Sequence, residues 1–268
     1  MNPVRVMGIV NATPDSFSDG GRWASVEAAV AQAMRLVEQG ADVLDIGGES
    51  TRPGAEPVNA AEEIARTAPV IEAIRARTDI LISIDTLKPE VAEAAIAAGA
   101  RMWNDVSALT FSPDSLTTAA ALGCEVVLMH MKGEPRTMQA SPQYDDVVGE
   151  VIAYLAERAE AAMAAGVARD RIWLDPGIGF GKTLAHNLAL TSHLERLVEL
   201  GFPVLYAASR KRTIAAIDPT ATDPGDRLGG SLALALEGAR RGAAMVRVHD
   251  VRETVQALKV QAAIRAAG

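Results

Sequence analysis

Short apolar runs alternate with longer amphipathic or alanine-rich stretches along the whole chain. The apolar runs are rich in valine, isoleucine and leucine and have the character of buried parallel strands. Eight strands are predicted, at residues 5–10, 43–47, 80–85, 102–104, 125–130, 172–175, 204–207 and 245–249.

The stretches between these runs carry the period of an amphipathic helix. From 26 to 37, for example, Val26, Val30, Met34 and Val37 share one face, and Ser25 is the predicted N-cap. A glycine closes a helix shortly before a strand at six places, where a left-handed residue commonly ends a helix. These glycines are Gly40, Gly99, Gly123, Gly166, Gly201 and Gly242.

The predicted strands and helices alternate strictly, and no hairpin signals occur between strands. This pattern predicts an α/β fold with a parallel sheet. Eight units in 268 residues favour a closed (β/α)8 TIM barrel over an open doubly wound sheet. No linker interrupts the pattern, so residues 1–268 are predicted to form a single domain. The long polar loops after strands 1 and 2, at 11–22 and 47–56, suit mobile lids, with ordinary surface loops as the alternative. A third long loop, 131–144, has no assigned role.

The composition excludes several classes of protein. The formal charge of −8 argues against a broad nucleic-acid surface, although a small anion site is compatible with it. Cys124 is the single cysteine, which excludes an internal disulfide and a CxxC metal site. The N-terminus has no signal-peptide pattern, and no stretch reaches the ~18 apolar residues of a membrane helix. We therefore expect a cytoplasmic protein.

The stretch from Asp175 to Lys182 contains three glycines spaced by two, but it matches neither common nucleotide motif. A P-loop ending at Lys182 would need glycine where Pro176 stands, and a dinucleotide fingerprint starting at Gly177 would need glycine at 182. The stretch is instead a carboxylate at a strand end, followed by a tight loop.

Every predicted strand delivers polar residues at its C-terminal end. One such residue often only forms a turn, but eight strands doing so on one face of a barrel predict a ligand site. The residues are Asn11, Asp45, Asp85, Asn104 with Asp105, His130, Asp175, Ser209-Arg210-Lys211, and Arg247 with His249.

The charges of these residues are sorted along the chain. Carboxylates and amides come from strands 3, 4 and 6, and they suit a heterocycle that presents NH groups. Cations follow strands 7 and 8, where barrels often bind phosphate; Arg210 and Lys211 could alternatively be a solvated helix start. The pattern predicts one ligand with a nitrogen-rich ring at one end and a phosphate group at the other.

Seven segments of the chain, in order and spacing, resemble the dihydropteroate synthase family. The match extends over nearly the whole chain, so it is highly specific. The segments are Gly8–Gly21 (GIVNATPDSFSDGG), Asp45–Gly54 (DIGGESTRPG), Ser83–Thr86, Asn104–Ser107, Asp175–Lys182 (DPGIGFGK), Ser209–Lys211 and Arg247–Asp250.

The resemblance implies a TIM barrel that joins 4-aminobenzoate to 6-hydroxymethyl-7,8-dihydropterin diphosphate with release of diphosphate. It also implies Mg²⁺, an SN1-like displacement, a homodimer and inhibition by sulfonamides. No nucleic-acid or membrane partner is expected.

The resemblance also implies a role for individual residues. Asp85, Asp175 and Lys211 would be catalytic, and Asn11 would also contact Mg²⁺. The pterin would be held by Asp85, Asn104, Met129, Asp175, Lys211 and Arg247, and the diphosphate by Asn11, Arg52, Arg247 and His249. The aminobenzoate would be held by Thr51, Arg52, Pro53, Phe180, Lys211 and Arg212.

The chain departs from the family pattern around strand 7, with Ala207, Arg212 and Thr213 where glycine, serine and a large aromatic are more usual. These changes bear on substrate affinity and on sulfonamide sensitivity. Three alternatives remain open at this point. They are a methyltetrahydrofolate:corrinoid methyltransferase-like barrel, a non-catalytic pterin-binding paralogue, and a barrel acting on another phosphorylated metabolite.

Overall fold

The structure is a computed structural model that describes residues 3–12, 21–49, 57–133, 138–139 and 141–267. Within these residues the strands are β1 Arg5–Asn11, β2 Val43–Gly47, β3 Leu81–Asp85, β4 Met102–Asp105, β5 Glu125–Met129, β6 Ile172–Asp175, β7 Leu205–Tyr206 and β8 Met245–Val248. The helices are α1 Gly21–Glu38, α2 Ala60–Arg75, α3 Pro89–Ala97, α4 Ser115–Leu122, α5 Val147–Ala165, α6 Leu184–Ser192, α7 Leu194–Val198, α8 Arg212–Ile217, α9 Leu228–Arg240 and α10 Val251–Ala267.

All strand pairs are parallel, and the hydrogen-bonded order is β6-β5-β4-β3-β2-β1-β8-β7. The remaining gap, between β6 and β7, is bridged at Leu174 and Val204. There the Leu174 amide donates to the Pro203 carbonyl at 3.0 Å. The strands therefore form a (β/α)8 barrel, as predicted.

The described residues form three apolar clusters, of which two make up the body of the barrel. The larger core packs the outer faces of the strands against the surrounding helices. A small core fills the inside of the barrel near the N-terminal ends of the strands. It consists of Met7, Val43, Met102, Val127, Trp173, Leu205 and Met245, with Leu81 packed against them. Each strand thus contributes one residue to the inner core.

Several details of the sequence prediction are confirmed and others are wrong. All six helix-closing glycines have positive φ, a backbone conformation that is strained for residues with a side chain. Helix α1 begins at Gly21, so Ser25 lies inside the helix and the predicted N-cap is wrong. β7 is shorter than predicted, and β5 ends one residue before His130. The predicted lid loops fall largely on residues 13–20 and 50–56, outside the described residues.

None of the helices in the described part of the chain is long and apolar enough to cross a membrane.

Candidate active site

The candidate site lies directly above the inner core, because side chains along a strand alternate between the two faces of the sheet. Two residues beyond each inner-core residue is the next inward position, in the same strand or, for Ala207, directly after it. This position is polar for five of the eight strands. We call these eight positions the floor layer: Ile9, Asp45, Ser83, Asn104, Met129, Asp175, Ala207 and Arg247. The apolar inner core supports this layer from below.

Arg247 joins two carboxylates in and above the floor layer. Its Nε donates to Asp45 Oδ2 at 2.6 Å, and one terminal nitrogen donates to Asp85 Oδ2 at 2.7 Å. Asn104 Nδ2 donates to the same oxygen of Asp45 at 3.2 Å. The other oxygen of Asp45 is buried and has no partner among the described residues. Residues predicted to hold the pterin and the diphosphate therefore belong to one network.

Burial shifts the pKa values of the charged groups in this site. Burial raises the pKa of Asp85 to about 7, although the charge of Arg247 opposes the shift. Burial also raises the pKa of Asp175 to about 6, against a hydrogen bond from the Gly177 amide. The pKa of Lys211 falls to about 8 because burial and the nearby Arg247 both disfavour its charged form. Burial alone would lower the pKa of Arg247, but Asp45 and Asp85 outweigh it and the pKa rises.

The loop after β6 brings an aromatic ring to the site. Asp175 ends the strand, and its Oδ1 accepts a hydrogen bond from the Gly177 amide at 2.7 Å. Phe180 follows in the loop and is buried against Val106, Met129 and Met138. The ammonium of Lys211 lies 4.1 Å from the centre of the Phe180 ring, close enough for a cation–π interaction.

The turn after β7 is held in an uncommon backbone conformation. Arg210 has φ of 56°, which is unfavourable for a residue with a side chain. Its amide donates to Ser231 Oγ at 2.9 Å, its carbonyl accepts from Arg227 at 2.9 Å, and its side chain forms an ion pair with Asp250. These contacts fix the turn, which sets Ser209 and Lys211, the residues on either side of Arg210, beside the cavity.

A cavity of about 730 Å³ opens above the floor layer. This volume suits a ligand of the size of a small heterocycle with substituents. Cations dominate its charged lining, as an anionic ligand requires, while the whole chain is acidic. The lining includes the cations Lys182, Arg210, Lys211, Arg212, Arg227 and Arg247, together with His249, against the carboxylates Glu49 and Asp85.

The structure brings most of the predicted residues together. Asn11, Asp85, Phe180, Lys211, Arg212, Arg247 and His249 line the cavity, together with Ala207 and Thr213. Asn104, Met129 and Asp175 lie in the floor layer. Ser209 Oγ and His249 Nδ1 are 3.0 Å apart, which ties β7 to the end of β8. Thr51, Arg52 and Pro53 lie outside the described residues.

Two residues of the predicted polar ring are not in the site. Asp105 follows an inward residue and so faces outward, where its carboxylate accepts from the amides of Ser107 and Leu109 at 2.7 Å and 2.8 Å. His130 follows the inward Met129 and is buried beside Lys182, at 3.0 Å. Both side chains support loops at the strand ends and do not face the ligand cavity.

Sequence reasoning also missed residues that shape the site. Asn187, on α6, accepts from the Gly179 amide at 2.8 Å, and Gln139 donates to the Gly179 carbonyl. Nothing in the local sequence marks these two side chains. Lys182 was visible at the end of the glycine-rich motif, but its contacts could not be foreseen.

Comparisons with known proteins agree with this geometry. Residues 7–249 match the family model described as pterin binding enzyme. The chain is 47% identical to the dihydropteroate synthase of Escherichia coli strain K12, over 95% of this chain and 89% of that protein.

Solved structures give the same result. A Xanthomonas albilineans dihydropteroate synthase with 4-aminobenzoic acid has 54% identity and a TM-score of 0.93, covering 99% of this chain and 94% of that chain. A complex of the enzyme from that organism with 7,8-dihydropteroate has 51% identity and a TM-score of 0.90, covering 99% and 95% of the two chains.

Proposed function

Because the chain belongs to the dihydropteroate synthase family of pterin-binding enzymes, we propose that it condenses 6-hydroxymethyl-7,8-dihydropterin diphosphate with 4-aminobenzoate. The products are 7,8-dihydropteroate and diphosphate. The observation that carries the proposal is the placement of Asp85, Asp175, Lys211 and Arg247 around the base of one cavity. The carboxylates at the bottom of the cavity match the pterin ring, and the cations beside them match the diphosphate.

The pterin ring would rest above the floor layer. Asp175 and Asp85 can each accept hydrogen bonds from the amino and NH groups of the ring, and Asn104 can donate or accept. Met129 would supply an apolar contact. Binding of the ring requires Asp85 to share its oxygens between Arg247 and the ligand, and one carboxylate can accept from both.

The diphosphate would lie toward Asn11, Arg247 and His249, with Arg52 from the second loop. No group of three or more His, Cys, Asp or Glu side chains in the described residues could hold a metal ion unaided. Mg²⁺ usually takes one or two protein oxygens together with substrate phosphates, and Asn11 carries such an oxygen on the cavity wall. Asn11 therefore fits Mg²⁺ that arrives with the diphosphate, which would neutralise charge on the leaving oxygens.

The aminobenzoate would stack near Phe180, beside Lys211 and Arg212, with Thr51, Arg52 and Pro53 from the second loop. In the reaction the C–O bond to the diphosphate breaks, the amine forms a C–N bond to the pterin methylene carbon, and the amine proton leaves to the diphosphate or water. We infer an SN1-like course, in which Asp85 and Asp175 stabilise the positive charge that grows on the ring. The arylamine is already nucleophilic, so positioning can replace covalent catalysis.

Two further properties belong to the proposal. We infer a cytoplasmic location, which the single buried Cys124 supports because such a chain needs no oxidising compartment. We also infer a homodimer, and the exposed apolar side chains of Val260 and Ile264 on α10 are compatible with a contact surface. Light scattering of the purified protein would test the dimer.

The reaction is tested by measuring diphosphate release from the purified protein with Mg²⁺ and the pterin diphosphate, with and without 4-aminobenzoate. The proposal expects amine-dependent release together with formation of dihydropteroate. Tight pterin binding without release would favour the non-catalytic paralogue. Methyl transfer from methyltetrahydrofolate to a corrinoid, without dihydropteroate formation, would favour the methyltransferase alternative.

A further inference from the structure

Lys182 has a buried ammonium that no step of the proposed reaction uses. The residue is only 2% exposed. Its Nζ donates to the carbonyls of His130, Gly177 and Phe180 at 3.2 Å, 3.0 Å and 3.0 Å, and it lies 3.0 Å from His130 Nδ1. Burial lowers the pKa of Lys182 to about 7, against the charge of Asp175, because a buried cation is costly unless it is well hydrogen-bonded. These contacts stabilise the charged form and define a specific site for one ammonium.

The imidazole of His130 is suited to accept one of these hydrogen bonds. Burial and the nearby charge of Lys182 lower the pKa of His130 to about 3, so the ring is neutral at ordinary pH. A neutral imidazole can accept through one nitrogen. The ammonium of Lys182 thereby connects the end of β5 to the loop that follows β6.

The glycines of this loop allow its backbone to lie directly against the backbone that follows β5. A Cβ on Gly177 would stand 2.0 Å from the His130 carbonyl oxygen, and one on Gly181 would stand 2.2 Å from the Lys132 carbonyl oxygen. Both glycines also have positive φ. At this close approach, the Lys182 ammonium donates to carbonyls of both backbones, that of His130 on one side and those of Gly177 and Phe180 on the other.

The outer edge of the same loop is fixed by the segment whose role the sequence left open. The hydroxyl of Tyr144 donates to the Gly181 carbonyl at 2.9 Å, and Gln139 donates to the Gly179 carbonyl. Met138 packs against Phe180. Lys182 holds the inner edge and this segment holds the outer edge, so Phe180 is placed from two sides.

We propose that Lys182 is a positioning residue, whose ammonium holds the loop after β6 so that the Phe180 ring faces the aminobenzoate half of the cavity. The inference rests on the proposed function for the identity of that substrate. The charge of Lys182 acts on Asp175, but Asp175 is held in place by strand β6, whereas Phe180 lies in the loop whose carbonyls Lys182 binds. Loss of the ammonium should therefore affect the second substrate more than the pterin.

The test compares Lys182→Met and Lys182→Gln with wild type and with Lys259→Met, in which an exposed lysine of α10 is replaced. For each folded protein, the KM for 4-aminobenzoate, kcat and the Kd for the pterin diphosphate are measured well below the unfolding temperature. We expect Lys182→Met to raise the KM for 4-aminobenzoate on the order of tenfold, because a small misplacement of a positioning group can cost that much or more. Lys182→Gln, which keeps two N–H donors, should raise it less.

The Kd for the pterin diphosphate should change by less than about threefold, and Lys259→Met should match wild type. An unchanged KM in the folded Lys182 variants would overturn the proposal, as would equal losses for both substrates. If Lys182→Met does not fold, Lys182→Gln alone decides. The wild-type assay separates this question from the proposed function: without dihydropteroate from wild type, the function itself fails, whatever the variants do.

Discussion

Arg247 and Asp85 form an ion pair at 2.7 Å across the barrel, between the last strand and the third. The cation expected to hold the diphosphate thus binds the carboxylate expected to hold the pterin. Asp45 forms an ion pair with a second nitrogen of the same guanidinium. The two halves of the pterin diphosphate site are therefore organised before the substrate arrives, which is the arrangement that favours electrostatic catalysis.

Arg247→Ala should weaken diphosphate binding more than binding of the pterin alcohol, and it should also destabilise the fold. Removing one partner of a buried ion pair leaves the carboxylates of Asp45 and Asp85 uncompensated, at a cost of about 3 kcal/mol in the free energy of unfolding. Urea unfolding and calorimetric titration with the two ligands check the two parts. Arg247→Lys is the matched control, because it keeps the charge but cannot reach both carboxylates. A loss of stability below about 1 kcal/mol would contradict the uncompensated pair, and equal losses for both ligands would refute the diphosphate role.

Asp175→Asn should remove most of the pterin affinity. An amide cannot accept a pair of hydrogen bonds from the ring as a carboxylate does, and a charge-assisted hydrogen bond contributes about 1.5–3 kcal/mol, or roughly 10- to 100-fold in affinity. The Kd of the pterin diphosphate measures the effect. Asp105→Asn is the control, since this neighbouring carboxylate is equally buried but serves a turn. It should lower stability without a comparable loss of affinity, and an unaltered Kd for Asp175→Asn would remove Asp175 from the ring site.

The alternation of side chains along the strands made much of this site predictable. Asp175 and Arg247 each lie two residues beyond an apolar inner-core residue, so the inward face could be counted from the sequence alone. The same count would have removed Asp105 and His130 from the predicted ring, because each directly follows an inward residue. Those two errors came from treating every polar residue at a strand end as equivalent.

The contacts between distant residues could not be predicted in this way. Arg247 lies 162 residues from Asp85 and 202 from Asp45, and only the closure of the barrel in this register brings them within hydrogen-bond distance. The loop after β6 lacks the regular alternation of inward and outward side chains that a strand has. The burial of Lys182 could therefore not be predicted from the motif. The Ser209-Arg210-Lys211 turn depends on Ser231 and Arg227, which come from later parts of the chain.

The activity should depend on pH through Asp85, Asp175 and Lys211. Because burial raises the pKa of Asp85 to about 7 and that of Asp175 to about 6, the two carboxylates are progressively lost as pH falls through these values, and kcat/KM for the pterin diphosphate should fall. Because burial lowers the pKa of Lys211 to about 8, its positive charge is lost above that pH, and kcat/KM should fall again. A pH profile from about 5 to 9 should therefore be bell-shaped. In Lys211→Arg the side chain stays protonated, so the alkaline limb of the pH profile should disappear. An alkaline limb that persists in this variant would show that another group causes it.

Arg212 should favour 4-aminobenzoate over sulfonamides that mimic it. The residue is exposed at the cavity rim, where serine is more usual in the family, and its guanidinium can pair with the carboxylate of the substrate. Sulfanilamide carries a neutral sulfonamide in place of the carboxylate, so it gains less from the charge of Arg212. An exposed pair contributes about 0.2–1 kcal/mol, and Arg212→Ser should raise the KM for 4-aminobenzoate by roughly two- to fivefold while the inhibition constant of sulfanilamide stays within about twofold. Arg265→Ser, an exposed arginine near the end of α10, is the control for loss of surface charge. Parallel weakening of substrate and inhibitor by Arg212→Ser would show that Arg212 shapes the pocket for both and does not recognise the carboxylate.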